Sequence, residues 1–225
     1  MISDVSCWDL IVQKKFEEAC IKADEEYSAT KDAPHLRNKA IALLNLKKYN
    51  EVHSIALHLI KLTNGRTDSD YILAGVSNWL MEKYVDSVNV WKSGLDTPYT
   101  DAAGGIGVPL LLYFAAIKLS DSGLEKEVLS LLKKKCKSKS SVNFPGTIAR
   151  YILGKISEDE LLYSCISMET LKTRALCKSY FYIAVNALKK NDTKGYLKNL
   201  DNCKLNETYM EKEYFLAVAE LDNMT

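Results

Sequence analysis

Three histidines, six cysteines, one glycine-rich loop and a few charge runs are the features of this chain that could do chemistry. His53 and His58 lie five residues apart on a predicted helix, which points them to different faces. Helical metal ligands recur at three or four, and neither these two nor His35 sits in a His-Glu-x-x-His pattern, so no metal site and no cofactor is expected. No Ser-His-Asp or Cys-His grouping can be placed on adjacent elements, so no catalytic residue is assigned. Cys7, Cys20, Cys136, Cys165, Cys177 and Cys203 form no Cys-x-x-Cys pair and read as small buried hydrophobes, with an isolated redox-active thiol as the alternative. The segment from Ala102 to Pro109 carries Gly104, Gly105 and Gly107 ahead of a predicted helix, where backbone N–H groups could cradle an anion. It follows no strand and lacks the Lys-Ser/Thr of a phosphate loop, so the reading is a flexible loop between repeats.

The charge runs have plain explanations and one open alternative. Lys133, Lys134, Lys135, Lys137 and Lys139 fall where a helix should end, and cations there complement the helix dipole. Contact with an acidic partner is the other reading of that run. The acidic clusters Asp24-Glu25-Glu26 and Glu158-Asp159-Glu160 divide the same way, the second being explained by a helix N-terminus.

The elements that must position such groups are helices. Four prolines and ten glycines in 225 residues suit long helices and argue against a turn-rich β-protein. Thirty Lys plus Arg against 29 Asp plus Glu leave a formal charge of +1, which argues against a dedicated nucleic-acid binder. The opening residues carry Asp4 and Asp9 and no basic stretch followed by an apolar run, so no secretory signal is expected. The longest apolar candidate, Val108 to Ile117, is too short for a bilayer. A cytoplasmic protein is therefore expected.

Self-similarity organises the first hundred residues. Phe16-Glu17-Glu18-Ala19, Tyr49-Asn50-Glu51-Val52 and Tyr84-Val85-Asp86-Ser87 each open an amphipathic stretch. The next anchors fall four residues on, at Ala23, Ala56 and Trp91, and the aromatics are 33 and 35 residues apart. Nine residues before each aromatic stands a small residue: Cys7, Ala40 and Gly75. A small side chain lets two helices cross closely, and a ring at the start of the second fills the space left.

Later segments repeat the theme less regularly. Val108 to Leu119 with Leu124 to Lys135, and Pro145 to Leu153 with Ser157 to Ile166, read as helix pairs. Pro109 suits a first turn, and Ser157 with Glu160 makes a capping box. Tyr180 up to the polar turn Asn191-Asp192 gives a helix with Ala184 at its crossing, and Tyr196, Leu200 and Cys203 mark the next helix. Tyr209 to Asn223 closes the series as a capping helix. The expectation is an all-α fold of five or six antiparallel helix pairs over a single domain, 1–225, with irregular connectors at 96–107 and 137–144.

The spacing and the small-then-aromatic pattern resemble the tetratricopeptide repeat family, whose repeat is about 34 residues. The resemblance implies a TPR-like α-solenoid in which the first helix of each pair lines a concave groove. In that register Arg37, Ile41, Leu44, Asn45, Ile72, Val76 and Trp79 are the candidate partner-binding residues, with Arg37 and Trp79 as anchors. A second reading has another helix filling the groove. The irregular repeats and Lys-, Asn- and Ile-rich usage look like small stand-alone bacterial proteins of this type, some of which are immunity proteins. The expected function is non-catalytic binding of a dedicated protein partner, with a cognate toxin as one class. A peptide-binding adaptor or regulator is the alternative, followed by an RNA-binding helical protein or an enzyme.

Overall fold

A computed structural model of the chain describes residues 5–224. Every regular element among them is helical. A first compact unit, ending at Thr97, holds α1 (Cys7–Val12), α2 (Phe16–Thr30), α3 (Ala33–Asn45), α4 (Tyr49–Leu62), α5 (Asp68–Leu80) and α6 (Tyr84–Ser93). A second, beginning at Pro98, holds α7 (Gly107–Lys118), α8 (Ser122–Lys135), a 3-10 turn (Lys139–Val142), α9 (Gly146–Ile152), α10 (Glu158–Ile166), α11 (Lys172–Lys189), α12 (Thr193–Leu205) and α13 (Lys212–Asp222). The all-α repeat architecture is thus as expected: six consecutive pairs and a last single helix. The packing forms two compact units that part within the irregular connector 96–107.

One turn recurs between the two helices of each pair. Lys14, Lys47, Glu82, Ser120, Gly154 and Asn191 all take left-handed φ, between 53° and 67°. The next N–H in each case reaches back to a carbonyl five residues earlier: Lys15 to Leu10, Lys48 to Leu43, Lys83 to Asn78, Asp121 to Ala116, Lys155 to Arg150 and Asp192 to Ala187, all at 2.8–3.0 Å. This is the Schellman closure, which satisfies the carbonyls orphaned at a helix end. Five of the six turns place a side chain where only glycine is free of strain, at about 1–2 kcal/mol each.

In the first unit the repeat positions become the core. Phe16, Tyr49 and Tyr84 are the first residues of α2, α4 and α6. Ala19, Val52 and Ser87 behind them are fully buried, as are Ala23, Ala56 and Trp91. Cys7 and Ala40 are fully buried too, and Gly75 is buried. A Cβ on Gly75 would stand 2.1 Å from Nε1 of Trp91, an impossible contact, so glycine is required opposite that indole. Ser87 Oγ donates to the Gly75 carbonyl at 2.8 Å, and Trp91 Nε1 donates to that of Ile72 at 3.3 Å. The indole and hydroxyl thus satisfy their polar atoms inside the crossing.

In the second unit α11 is the hub, packing against α7, α9, α10, α12 and α13. Phe181 meets Phe114 at 5.0 Å and Tyr182 at 5.2 Å between ring centroids. Pro109 sits in the first turn of α7, and Ser157 and Glu160 cap α10 reciprocally. Ala184, Tyr196, Leu200 and Cys203 are buried as the periodicity requires. Helix α11 begins well before the expected Tyr180, because Arg174 and Lys178 have a buried partner described below.

Candidate functional site

The candidate residues lie on two first helices, α3 and α5. Leu44, Val76 and Trp79 are interior side chains, 4%, 1% and 3% exposed. Trp79 stacks on Trp91 at 5.8 Å and tilts against Tyr84 at 4.7 Å. The members of the row that solvent reaches are Arg37, Ile41, Asn45 and Ile72, each half-buried. Asn45 Nδ2 donates to the Ile41 carbonyl one turn back, at 2.8 Å.

Arg37 is held inside the unit. Its Nε and Nη2 donate to Asp70 Oδ1 and Oδ2 at 2.7 and 3.0 Å, and Thr63 Oγ1 donates to the same carboxylate at 3.1 Å. Asp70 is fully buried. Arg37 therefore joins α3 to α5 past the end of α4, and removing it would strand a buried carboxylate, a loss of about 3–5 kcal/mol. The residue expected to anchor a partner thus also ties two helices of its own unit together. The sequence signal was an acid in the first turn of an otherwise apolar helix, which reads more simply as a dipole partner.

The structure does bring a serine and a histidine together. His53 Nδ1 lies 3.2 Å from Ser77 Oγ, whose one hydrogen goes to the Ala74 carbonyl at 2.7 Å. His53 must then donate to Ser77, the reverse of the polarity a general base needs to activate a hydroxyl. Ser77 is also fully buried. His35 Nδ1 pairs with Glu26 at 3.0 Å, and His58 Nε2 with the Tyr27 hydroxyl at 3.4 Å. Among the described residues no three His, Cys, Asp or Glu come together to hold a metal ion. Burial, and next the charge of Glu26, push the Cys7 thiol up to about 12, far from the range of a reactive thiolate.

The glycine loop already holds an anion of its own. Asp101 accepts from the N–H groups of Ala103 and Gly105 through Oδ1, at 2.8 and 3.0 Å, and of Gly107 through Oδ2, at 2.9 Å. The donors that might have cradled a ligand are satisfied internally, and the loop is tied down where flexibility was expected. Gly105 is buried with φ +80°.

A larger charged cluster fixes the last helix of the second unit. Glu211, at the start of α13, pairs with Arg174 and with Lys178, the latter at 2.8 Å. Burial raises its pKa, but Lys178, Lys212 and Arg174 together outweigh that and bring it down to about 2. Nearby, Tyr196 donates to Glu220 at 2.7 Å, and Lys118 pairs with the same carboxylate. Cys177 and Cys203, both buried, bring their sulfurs to 3.4 Å. The Glu211 and Glu220 contacts position α13.

No helix among the described residues is long and apolar enough to cross a membrane. No protein-family model matches the chain, and no curated protein matches its sequence. The repeat reading accordingly rests on the residues and the helix pairs themselves.

Proposed function

We propose that this chain is a non-catalytic repeat protein that binds a dedicated protein partner through its first unit. The observation that carries the reading is the partly exposed row of Arg37, Ile41, Asn45 and Ile72 on successive first helices. Side chains repeated at one register of stacked helix pairs form an extended surface suited to a polypeptide. Supporting the non-catalytic part, the serine–histidine contact described above uses a fully buried serine and is polarised against catalysis. Resemblance to stand-alone repeat proteins that act as immunity proteins makes a cognate toxin the partner class to test first, and a peptide-binding adaptor the second.

The test is affinity capture from the native cell, with the captured protein identified by mass spectrometry. A variant carrying Asn45→Arg and Ile72→Lys keeps long side chains that can extend into water. It should retain its circular dichroism and lose capture by about tenfold or more, since interface anchors commonly contribute 2 kcal/mol or more. Unchanged capture by that variant would reject the surface. If the captured protein arrests growth when expressed alone and this chain relieves the arrest, the toxin class is established.

A further inference from the structure

The second unit carries a surface that the proposed function does not use. Lys133, Lys134, Lys137 and Lys139 are exposed, and among the described residues they enter no ion pair. Some cations elsewhere are matched, as Lys39 is with Asp24, Lys178 with Glu211 and Lys189 with Glu125. What sets this run apart is its density, five lysines within the seven residues 133–139. The dipole of α8 explains Lys133 and Lys134, which lie in its last turn. It does not explain Lys139, which lies four residues beyond the end of the helix, where that field has faded. Arg150 and Lys155, from α9 and the turn after it, add positive charge at Cys136, just past the end of α8: burial raises that thiol's pKa and these two cations oppose the rise. Arg150 also acts on Glu160.

The fold adds apolar groups to this charge by packing the two irregular connectors together. Asn143 Nδ2 donates to the Ala102 carbonyl at 3.5 Å, and Lys135 Nζ turns inward to that of Gly104 at 3.2 Å. A Cβ on Gly104 would meet Ser140 Oγ at 2.9 Å, and one on Gly105 would meet Tyr99 at 3.1 Å. The joined loops leave Tyr99 58% exposed and Val142 59% exposed beside the lysines. Exposed apolar groups beside a dense run of cations complement a segment that pairs carboxylates with apolar side chains.

We propose that the end of α8 and these two loops form a docking surface for an acidic polypeptide segment that also carries apolar side chains. Its carboxylates face Lys133, Lys134, Lys137 and Lys139, and its apolar groups cover Tyr99 and Val142. A single-stranded nucleic acid is the poorer fit. Such a ligand is held by several rings on which successive bases stack, and this surface offers one ring and a valine.

Fluorescence anisotropy with a labelled peptide of mixed glutamate and leucine tests the assignment, with polyglutamate, oligothymidine and phosphatidylserine vesicles in parallel. The mixed peptide should bind most tightly and weaken with added salt. Lys137→Glu with Lys139→Glu, placed outside the helix, should weaken it by about tenfold or more. Tyr99→Ser with Val142→Ser should weaken it severalfold and bring it level with polyglutamate. Circular dichroism of both variants should match the parent. Equal binding by parent and charge-reversed chain overturns the proposal, as does tighter binding of oligothymidine or vesicles than of peptide. Polyglutamate binding as tightly as the mixed peptide overturns its apolar half.

Discussion

At the crossing of α5 and α6 in the first unit, Gly75 lies against the Trp91 indole, and the contact is decided by volume. At the docking of α13 in the second, Glu211 lies among Arg174, Lys178 and Lys212, and the contact is decided by charge. Both contacts are interior, yet they answer to different perturbations. A close-packed crossing is blind to pH and intolerant of a methyl group. A buried ion cluster tolerates small shifts of its long side chains, but its stability follows the protonation of its carboxylate. A shared left-handed turn sets the helix pairs in both units, and the side chains then choose how each pair is locked.

The largest expected effect is at the crossing. Gly75→Ala places a Cβ 2.1 Å from the Trp91 ring and should destabilise by about 3 kcal/mol, the upper end for overpacking. Gly105→Ala is the comparison, and it is less benign than a loop position suggests. It is buried at φ +80°, so about 1–2 kcal/mol of backbone strain is expected there. Adding Trp91→Leu to Gly75→Ala should make the pair less destabilising than the sum of the single changes. Urea midpoints of the four variants decide it: additive losses would show that Gly75 and Trp91 are not the lock.

The next effect belongs to the charged dock. Glu211 has a folded pKa of about 2 against an ordinary value of 4.5, so the stability it supplies is complete above about pH 4.5. That stability fades as the pH falls from there toward 2, and it amounts to something on the order of 3 kcal/mol. Glu211→Gln should therefore be destabilising at pH 7, with the gap to the parent closing as the pH approaches 2. The Gly75→Ala gap should stay constant over the same range. Parallel pH profiles for parent and Glu211→Gln would mean that the cluster is not what holds α13.

Much of this fold was legible because it depends on local pattern. The aromatics at 16, 49 and 84 fall on the first residues of α2, α4 and α6, and the small and large positions behind them are core. What could not be read has a physical reason in each case. Leu44, Val76 and Trp79 are apolar at helical spacing, and periodicity reports that a face is covered without saying by what. Arg37 and Asp70 are 33 residues apart, one repeat, so their pairing exists only once the helices stack. The stretch from Lys172 to Lys178 looks too charged for a helix on the core, because Glu211, which balances it, lies more than thirty residues on. The left-handed turns were hidden for a simpler reason. Only one of the six uses glycine, the residue that would have announced them.

Those turns give the smallest effect and the one that separates shared geometry from local packing. Lys14, Lys47 and Glu82 hold φ of 62°, 57° and 62°, each strained by its Cβ. Glycine at any of them removes that strain, about 1–2 kcal/mol, but adds freedom to the unfolded chain, which takes back roughly 0.5–1 kcal/mol. The net expectation for Lys47→Gly is a gain of about 0.5–1 kcal/mol, with Lys14→Gly and Glu82→Gly close to it. Glu82 is exposed, so little packing is lost there, whereas at Lys47 and Lys14 the loss of a side-chain interaction works against the gain. The second unit supplies the inverse experiment. Gly154 takes the same conformation at φ +67°, and a Cβ added there would meet nothing within 4 Å, so Gly154→Ala introduces backbone strain and no clash. It should lower stability by about the amount that Lys47→Gly raises it. If Lys47→Gly is neutral or destabilising while Gly154→Ala is harmless, the turn is permissive. The register of the pairs would then be set by side-chain contacts such as Gly75 with Trp91 and not by the backbone closure that both units share.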